Sequence, residues 1–287
     1  MDFRRSAIVL IVCFFFLDVF LFGLVWQKKV ESKTPLNSSI NVIDQMKQDG
    51  ITLPSLPSTD ETAPIIQLTP VSIGPGLNNL QNQSVTLEKN VITAELLPPI
   101  QLGLSTPINE ESFNALTNFI NNKVLFGDKY VWSSYNATTR KVIYAQKADK
   151  LSIMDGTSQI IVTLNANDQA VSYEQTYAGN VQVLGNKRSL ITAQSAVEVL
   201  FLAGKIPAKS IVSTVKLSYF QSLVLKEFSI YSPAWYVEIR QADGQLVARR
   251  VDAIHGTVLT NETLESTNTQ TQRTTTNNTT TQTVQQQ

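Results

Sequence analysis

The sequence is poor in cysteine and histidine. Cys13 is the only cysteine and His255 the only histidine among 287 residues. An intramolecular disulfide is therefore impossible, and a zinc site built from several Cys or His ligands is excluded. A Ser-His-Asp triad would have to use His255, which lies in a predicted turn between Ile254 and Gly256. Most catalysis that depends on these two residue types is thus excluded.

An excess of charge of either sign is also missing. Lys plus Arg and Asp plus Glu are both 23, so the formal net charge is zero. This balance argues against a generally basic nucleic-acid-binding protein and against a long acidic tail. Charged residues make up 16% of the chain, below the usual quarter, whereas hydrophobic residues make up 43%. Part of the chain is therefore expected to avoid water by means other than a folded core.

Catalytic motifs are absent as well. The sequence contains no P-loop, GxGxxG, HExxH or GxSxG pattern, and residues 74–76 (Gly-Pro-Gly) indicate a turn. Glu174 lies between Tyr173 and Tyr177 but has no second carboxylate to pair with, so we interpret it as a surface strand residue. The sequence therefore predicts no enzyme, no metal site and no cofactor. An envelope enzyme is retained only as a disfavoured hypothesis.

A long hydrophobic run occupies residues 6–26, SAIVLIVCFFFLDVFLFGLVW. As a helix it would measure about 31 Å, close to the roughly 30 Å hydrocarbon core of a bilayer. Asp18 near its centre costs about 2.5 to 3.5 kcal/mol, whereas the Leu, Ile, Val and Phe residues together contribute roughly 7 kcal/mol. The run therefore predicts a transmembrane helix.

This segment is predicted to stay attached to the protein. It is longer than the usual apolar region of a signal peptide, and its exit, Leu24-Val25-Trp26, has no small-residue cleavage site. We therefore expect an uncleaved signal anchor. Two arginines precede the helix and three lysines follow it, which leaves the orientation open on local charge alone.

Asp18 has two interpretations. It is either a tolerated, protonated residue or a contact point for another membrane helix, where a carboxyl group can form hydrogen bonds away from lipid. We favour the contact, because isolated acids in membranes are costly and usually partnered. The predicted helix–helix surface consists of Asp18 with Ile11, Phe14, Leu21, Phe22 and Val25.

Residues 27–108 are rich in proline. Nine of the eleven prolines lie between residues 34 and 108, a density that disfavours long helices and central strands. We expect a small irregular lobe or stalk here. It would contain a short helix at 40–48 and strands at 63–68 and 85–97.

Residues 109–260 predict a compact α+β domain with an antiparallel sheet and two packing helices. Asn109 is the expected cap of the first helix and Thr192 that of the second, at 192–203. The predicted buried faces are Phe113, Leu116, Ile120 and Val124 in the first helix, and Ala196, Val199, Leu200 and Ala203 in the second. Strands are predicted at 129–135, 140–148, 158–165, 169–183, 211–221, 223–231, 235–240, 246–251 and 257–260, with tight turns at 165–168 and 243–244.

The order of a helix followed by strands occurs twice, in 109–183 and in 192–260. This order is compatible with a diverged structural repeat.

The Thr/Gln/Asn-rich end of the chain cannot bury enough apolar area to fold. The predicted organisation is a cytoplasmic N-terminus (1–5), the membrane anchor (6–26), the Pro-rich lobe (27–108), the α+β domain (109–260) and a disordered tail (261–287).

Several stretches together resemble one family. The opening MDFRR leads directly into a hydrophobic helix containing LDVFLF. Residues 173–207 read YEQTYAGNVQVLGNKRSLITAQSAVEVLFLAGKIP, and SPAWYVEIR follows before a terminal hairpin. In this order the segments are similar to the YycI (WalI) family. The resemblance covers residues 1 to about 260, is weakest across 50–108 and does not extend to the polar tail.

The resemblance implies a single-pass protein of the cell membrane of Gram-positive bacteria, with its N-terminus inside and its domain outside. It implies regulation of the sensor histidine kinase WalK (YycG), which governs cell-wall metabolism, together with the partner YycH and through transmembrane helices. It brings no catalytic residues.

An alternative comes from RRVDAIHGTVL, which with the preceding helix and hairpin resembles PepSY-type domains. That likeness implies a membrane-tethered module that binds or inhibits an extracytoplasmic protein.

Overall fold

The computed structural model describes residues 14–18, 39–57, 61–77, 80–104 and 106–259. The chain divides into two units, Met1–Gln48 and Asp49–Gln287. In the first unit, residues 14–18 are helical and α1 spans Ser39–Gln48. None of the helices within the described ranges is both long and apolar enough to cross a membrane. Apart from residues 14–18, the predicted anchor lies outside the described residues, as does the predicted tail.

The second unit is an α+β fold with two antiparallel sheets, so the predicted class is confirmed at that level. Sheet A contains β1 (Thr62–Thr69), β9 (Asn180–Ser189), β10 (Ile211–Val224), β11 (Ser229–Arg240), β12 (Leu246–Asp252) and β13 (Val258–Leu259). Sheet B contains β2 (Gln83–Glu88), β3 (Val91–Gln101), β4 (Tyr130–Asn136), β5 (Lys141–Ala148), β6 (Leu151–Ser152), β7 (Gln159–Leu164) and β8 (Gln169–Gln175). The helices are α2 (Gly74–Leu77), α3 (Asn114–Lys123) and α4 (Ala193–Leu202), with 3₁₀ turns at Glu110–Phe113 and Gly127–Lys129.

β11 organises sheet A. On one side it pairs with β10 along its length; on the other it pairs first with β1, at residues 229–231, and then with β12, at residues 234–240. Pro233 lies between these two segments, where a strand can accept a residue without an amide hydrogen. The predicted break at residue 222 is wrong, because β10 continues to Val224 and the turn follows it.

Sheet B has the order β2-β3-β8-β7-β5-β4, with β6 paired to β5. The single strand predicted at 85–97 is instead a hairpin of β2 and β3. Lys89 and Asn90 form its turn with φ of 47° and 65°, the left-handed values that a two-residue hairpin loop requires.

The Pro-rich segment does supply a central strand, contrary to expectation. β1 pairs with β11 on one side and β9 on the other, and its Pro64 lies at a register shift between Ala63 and Ile65. β3 likewise pairs with β8 across a shift between Glu95 and Ile100, an interval that contains both of its prolines. Because the prolines occupy irregular positions of the ladder, their missing amides cost little. Strands that precede residue 108 are therefore part of both sheets.

The strand predicted at 169–183 is also two strands. β8 ends at Gln175 in sheet B, and β9 begins at Asn180 in sheet A. Gly179 lies between them with φ of +112°, and a Cβ there would come within 2.0 Å of the Thr69 carbonyl oxygen. Only glycine fits this crossing between the sheets.

Each long helix packs on one sheet: α3 on sheet B and α4 on sheet A. The predicted face of α3 is confirmed, since Phe113, Leu116, Ile120 and Val124 are all buried, and Asn109 caps the preceding turn through Ser112. Thr192 caps α4 as predicted. The predicted buried face of α4 is only partly correct. Its buried residues are Ala193, Ala196, Val197 and Leu200, whereas Val199 is half-buried and Ala203 is exposed.

The predicted order of helix followed by strands is present in both halves. α3 leads into β4, β5, β7 and β8, which are neighbours in that order in sheet B. α4 leads into β10, β11, β12 and β13, which are neighbours in that order in sheet A. The first half differs by sending β9 into the other sheet.

Candidate functional site: a cleft between the two sheets

A short segment after β6 joins the sheets. The amide of Ile153 donates to the carbonyl of Gln146 in sheet B at 2.9 Å. The next amide, of Met154, donates to the carbonyl of Tyr219 in sheet A at 3.2 Å. Two adjacent residues therefore bind one sheet each, which fixes the separation of the sheets at this point.

Asp155 continues the same junction. Its carboxylate accepts from the amide of Gln221 in sheet A at 2.6 Å, and from the amide and hydroxyl of Thr157 at 2.9 and 2.6 Å. The Thr157 hydroxyl in turn shares a hydrogen bond with the Tyr231 hydroxyl at 2.9 Å. Burial raises the pKa of Tyr231, so this network keeps a neutral phenol. A charge-assisted hydrogen bond of Asp155 therefore attaches the segment to sheet A.

A cleft opens beside this junction, between β4 of sheet B and β10, β11 and β12 of sheet A. It consists of two hollows of about 200 Å³ and 140 Å³. Ser133, Ser134, Met154 and Tyr236 line both of them. We refer to the two hollows together as the inter-sheet cleft. Its size is at or below the lower end of the range for small-molecule sites.

Three residues of sheet A form a row along one wall of the cleft. Lys216 of β10 lies directly opposite Tyr236 of β11, and Tyr236 lies directly opposite Arg250 of β12. Directly opposed residues of neighbouring antiparallel strands project from the same face of a sheet. Lys216 lines the larger hollow and Arg250 the smaller one, with Tyr236 between them in both. We call this set the cationic row.

Arg250 is the most constrained member of the row. Its Nε and Nη2 both donate to the carbonyl oxygen of Met154, at 3.0 and 2.7 Å. Its guanidinium carbon lies 5.7 Å from the centre of the Tyr236 ring, within cation–π range. Burial lowers the pKa of Arg250, and the charge of Asp155 opposes that effect. In the described part of the chain, no carboxylate lies within ion-pair distance of this guanidinium.

One acid, Glu238, also lines the larger hollow. Its Oε1 accepts from the Ser213 hydroxyl at 2.8 Å, and its Oε2 lies 3.5 Å from the Tyr236 hydroxyl. Burial, followed by the nearby charge of Glu238, raises the pKa of Tyr236 to about 12. Tyr236 is therefore a neutral phenol at physiological pH.

Trp132 of β4 lines the opposite wall. Its ring is nearly parallel to that of Phe113, at 20° and a centroid distance of 6.3 Å. Its indole Nε1 is buried and has no hydrogen-bond partner among residues that the structure describes. A buried donor without an acceptor is costly.

Only two residues of the predicted helix–helix surface lie within the described residues. Phe14 and Asp18 lie in the helical segment 14–18 and are exposed. Ile11, Leu21, Phe22 and Val25 lie outside the described residues, so contact between membrane helices stays a prediction.

Other residues singled out in the sequence have structural roles. His255 is exposed in a turn, as predicted, with its Nδ1 3.0 Å from the Asp252 carboxylate. Glu174 is exposed on β8, as predicted. Tyr173 and Trp235 are buried core residues.

The cationic row was missed by sequence reasoning. Its three members are separated along the chain, and only the register of β10, β11 and β12 brings them together. The sequence signal for this row was limited to the strand pattern: Tyr236 and Arg250 each lie in a run of residues that predicts a strand. Within the described ranges, no cluster of three or more His, Cys, Asp or Glu residues could hold a metal ion. The cleft provides hydrogen-bond donors and an aromatic surface, an arrangement suited to binding.

Three comparisons place this chain among known proteins. A family model described as YycI protein matches residues 30–254. No curated protein matches the chain. Among solved structures, the chain is similar to an uncharacterized protein from Eubacterium rectale ATCC 33656, with 10% identity and a TM-score of 0.44, over 78% of this chain and 99% of that one.

Proposed function

The chain belongs to the YycI family, and on this basis we propose that it is a non-enzymatic regulator of the sensor histidine kinase WalK (YycG), acting in a complex with YycH. The family match, which extends over residues 30–254, is the observation that carries the proposal.

In this proposal the helix at residues 6–26 anchors the protein in the cell membrane, with the N-terminus in the cytoplasm and the two sheets outside. The hydrophobicity of the run supports the anchor. So does the described part of the helix, where Phe14, Phe15, Phe16 and Leu17 are all more than half exposed. A helix that presents large apolar side chains on all sides requires apolar surroundings.

The helix regulates the kinase by packing beside its membrane helices. A helix that contacts the active and inactive arrangements of the kinase unequally shifts the balance between them. A coupling free energy of about 1 to 3 kcal/mol is typical of such regulation. The carboxyl of Asp18 would donate or accept a hydrogen bond in one arrangement, with the flanking residues Phe14 and Leu21 packing around it.

The experiment that tests this mechanism is the substitution Asp18→Leu in the full-length protein. We expect altered expression of a WalK-dependent reporter at an unchanged level of protein in the membrane, because leucine favours insertion but removes the polar contact. Reporter output that stays at the wild-type level, with normal membrane abundance, would contradict the role of Asp18.

The matched control is Phe16→Leu. At about 100° per residue, Phe16 lies on roughly the opposite side of the helix from Asp18. This substitution also changes the size of a side chain in the anchor, but leaves the proposed contact surface intact. We expect its reporter output to equal that of the wild type.

The second candidate is a tethered PepSY-like inhibitor of an extracytoplasmic protein. The observation that favours it is the succession of α4 and the antiparallel strands β10 to β13. A secreted fragment comprising residues 34–287 distinguishes the two functions. Full complementation by the fragment supports the inhibitor, whereas a requirement for the anchored chain supports the kinase regulator.

A further inference from the structure

We propose that the inter-sheet cleft is a binding site for a small molecule with a single carboxylate, which is held by the cationic row of Lys216, Tyr236 and Arg250. This inference is independent of the kinase, since it concerns binding by the chain itself.

The unsatisfied donors of Arg250 are the first argument. An arginine carries five N–H groups. Two of them, on Nε and Nη2, are used by the Met154 carbonyl oxygen. The edge formed by Nη1 and the second hydrogen of Nη2 has no acceptor in the described part of the protein. This edge has the fork geometry that binds a carboxylate through two parallel hydrogen bonds.

The fixed position of the guanidinium is the second argument. Met154 is held between the sheets, because its backbone amide donates a hydrogen bond to the carbonyl of Tyr219. Its carbonyl in turn holds Arg250, whose guanidinium lies over the ring of Tyr236. A cation that is already oriented loses little freedom when a ligand binds, so its hydrogen bonds contribute more to affinity.

Lys216 supplies a second positive charge. It lies opposite Tyr236 on the same face of the sheet, and no hydrogen bond or ion pair involves its ammonium group within the described ranges. The side chain is exposed, so it can move towards a bound anion. Trp132 adds an aromatic side chain on the opposite wall.

The charge of the cleft distinguishes among anions. Two cations, Lys216 and Arg250, line it, together with one acid, Glu238, and the charge of a second acid, Asp155, also acts on Arg250. A doubly charged phosphate would be repelled by both acids more strongly than a singly charged carboxylate. The apolar lining at Ile143 and Ile153 favours a ligand whose carboxylate is attached to an apolar body.

The test uses the full-length protein in detergent micelles with 4-fluorobenzoate as the probe, followed by ¹⁹F NMR. We expect saturable binding to the wild type. Arg250→Gln should weaken it about tenfold or more, because the fork of charge-assisted bonds is lost. Lys216→Gln should weaken it about threefold, since an exposed charge contributes less. Binding that is absent, or unchanged in both variants, overturns the proposal.

Arg249→Gln is the matched control. Arg249 is adjacent in sequence but lies opposite Val237, on the other face of the sheet. The same change of charge there should leave the affinity for 4-fluorobenzoate unchanged. Because the micelles are the same, this variant also controls for partition of the probe into them. If the Arg250 variant fails to fold, Lys216→Gln still tests the proposal, because Lys216 makes no hydrogen bond or ion pair within the described ranges that the substitution would break.

Two further probes define the ligand. Inorganic phosphate should compete at least about tenfold less well than 4-fluorobenzoate because of Glu238. Phosphate that competes better overturns the assignment to a carboxylate. An N-acetylated dipeptide ends in the same chemical group. If the dipeptide competes better than benzoate, the carboxylate comes from a peptide. If benzoate competes better, the ligand is an aromatic acid. Both results support the site.

Discussion

At the scale of single residues, the buried tyrosines show how far the fold controls ionisation. Tyr144 is fully buried on β5, and its hydroxyl shares a hydrogen bond of 2.9 Å with Thr117 of α3. Burial raises the pKa of Tyr144 to about 12, from an ordinary value of 10.0. The pKa values of Tyr130, Tyr173 and Tyr219 are raised for the same reason. The folded protein therefore holds protons that the unfolded chain releases at lower pH.

These shifts predict loss of stability at alkaline pH. Above about pH 10 the unfolded chain loses tyrosine protons that the folded protein keeps, so the free energy of unfolding falls by up to about 1.4 kcal/mol per pH unit for each such group. The fall continues until the folded groups ionise, for Tyr144 at about pH 12. Urea unfolding at pH 8, 10 and 11 measures the slope.

Tyr144→Phe tests the contribution of one residue. Below pH 10 the variant should show a constant difference from the wild type, of about 1 kcal/mol, from the lost hydrogen bond to Thr117. Above pH 10 its stability should decline less steeply, because one raised pKa has been removed. Equal slopes in the two proteins would mean that Tyr144 ionises alike in the folded and unfolded states.

At the scale of elements, glycines and prolines decide where strands end and change sheets. Gly179 separates β8 from β9, and the Cβ of any other residue there would overlap the Thr69 carbonyl. Pro64 and Gly185 lie at the irregularity between β1 and β9. The ladder is thus interrupted at residues whose backbones tolerate it.

Gly179→Ala should therefore destabilise the protein strongly. The added methyl would lie 2.0 Å from a backbone oxygen, and the φ of +112° is unfavourable for alanine. Overpacking of about 1 to 3 kcal/mol adds to a backbone cost of about 1 to 2 kcal/mol. The midpoint of thermal unfolding, followed by circular dichroism, measures the effect.

Gly185→Ala is the control for this substitution. Gly185 also has a positive φ, of +65°, but no atom lies within 4 Å of the position of its Cβ. Only the backbone cost of about 1 to 2 kcal/mol is expected. If both variants lose equal stability, the contact with Thr69 does not matter.

How much of the fold could be predicted from the sequence differs between the helices and the strands. The helices were predictable, because Asn109 and Thr192 are local capping signals and Phe113, Leu116 and Ile120 repeat at helical spacing. Strand existence was largely predictable from alternation. Strand partners were not, since β1 finds its neighbours far along the chain. The cationic row depends on the register of three strands, so no local pattern could reveal it.

At the scale of the whole second unit, the two sheets share a buried cluster and a junction. Ile66 and Leu68 of β1 pack with Ala148 of β5, Ile153, Tyr219 and Tyr231 in one buried cluster. The segment at residues 153–157 is hydrogen-bonded to both sheets. Loss of either sheet would expose this cluster, so neither has an independent core at this boundary.

We therefore predict a single cooperative unfolding transition. Trp132 reports on sheet B and Trp235 on sheet A, so two variants of a Trp26→Phe background are needed, Trp132→Phe and Trp235→Phe. In each, urea unfolding followed by tryptophan fluorescence and by far-ultraviolet circular dichroism should have the same midpoint.

The comparison is made within each variant, because the substitutions themselves alter stability. Trp235→Phe, for example, removes a buried hydrogen bond to the Ile191 carbonyl. If the Trp235 signal changed at a lower urea concentration than the dichroism, sheet A would unfold by itself and the shared cluster would be less important than proposed.

The place of β1 has a consequence for the order of assembly. Ile66 pairs with Tyr231, and its other neighbour is Val183, so both flanks of β1 are formed by residues synthesised long after it. Sheet B can form before β10 to β13 have emerged, and until then the edge of β1 that pairs with β11 stays unpaired. A chain that ends before residue 229 would therefore expose an unpaired, apolar strand edge, the kind of surface that folding chaperones shield.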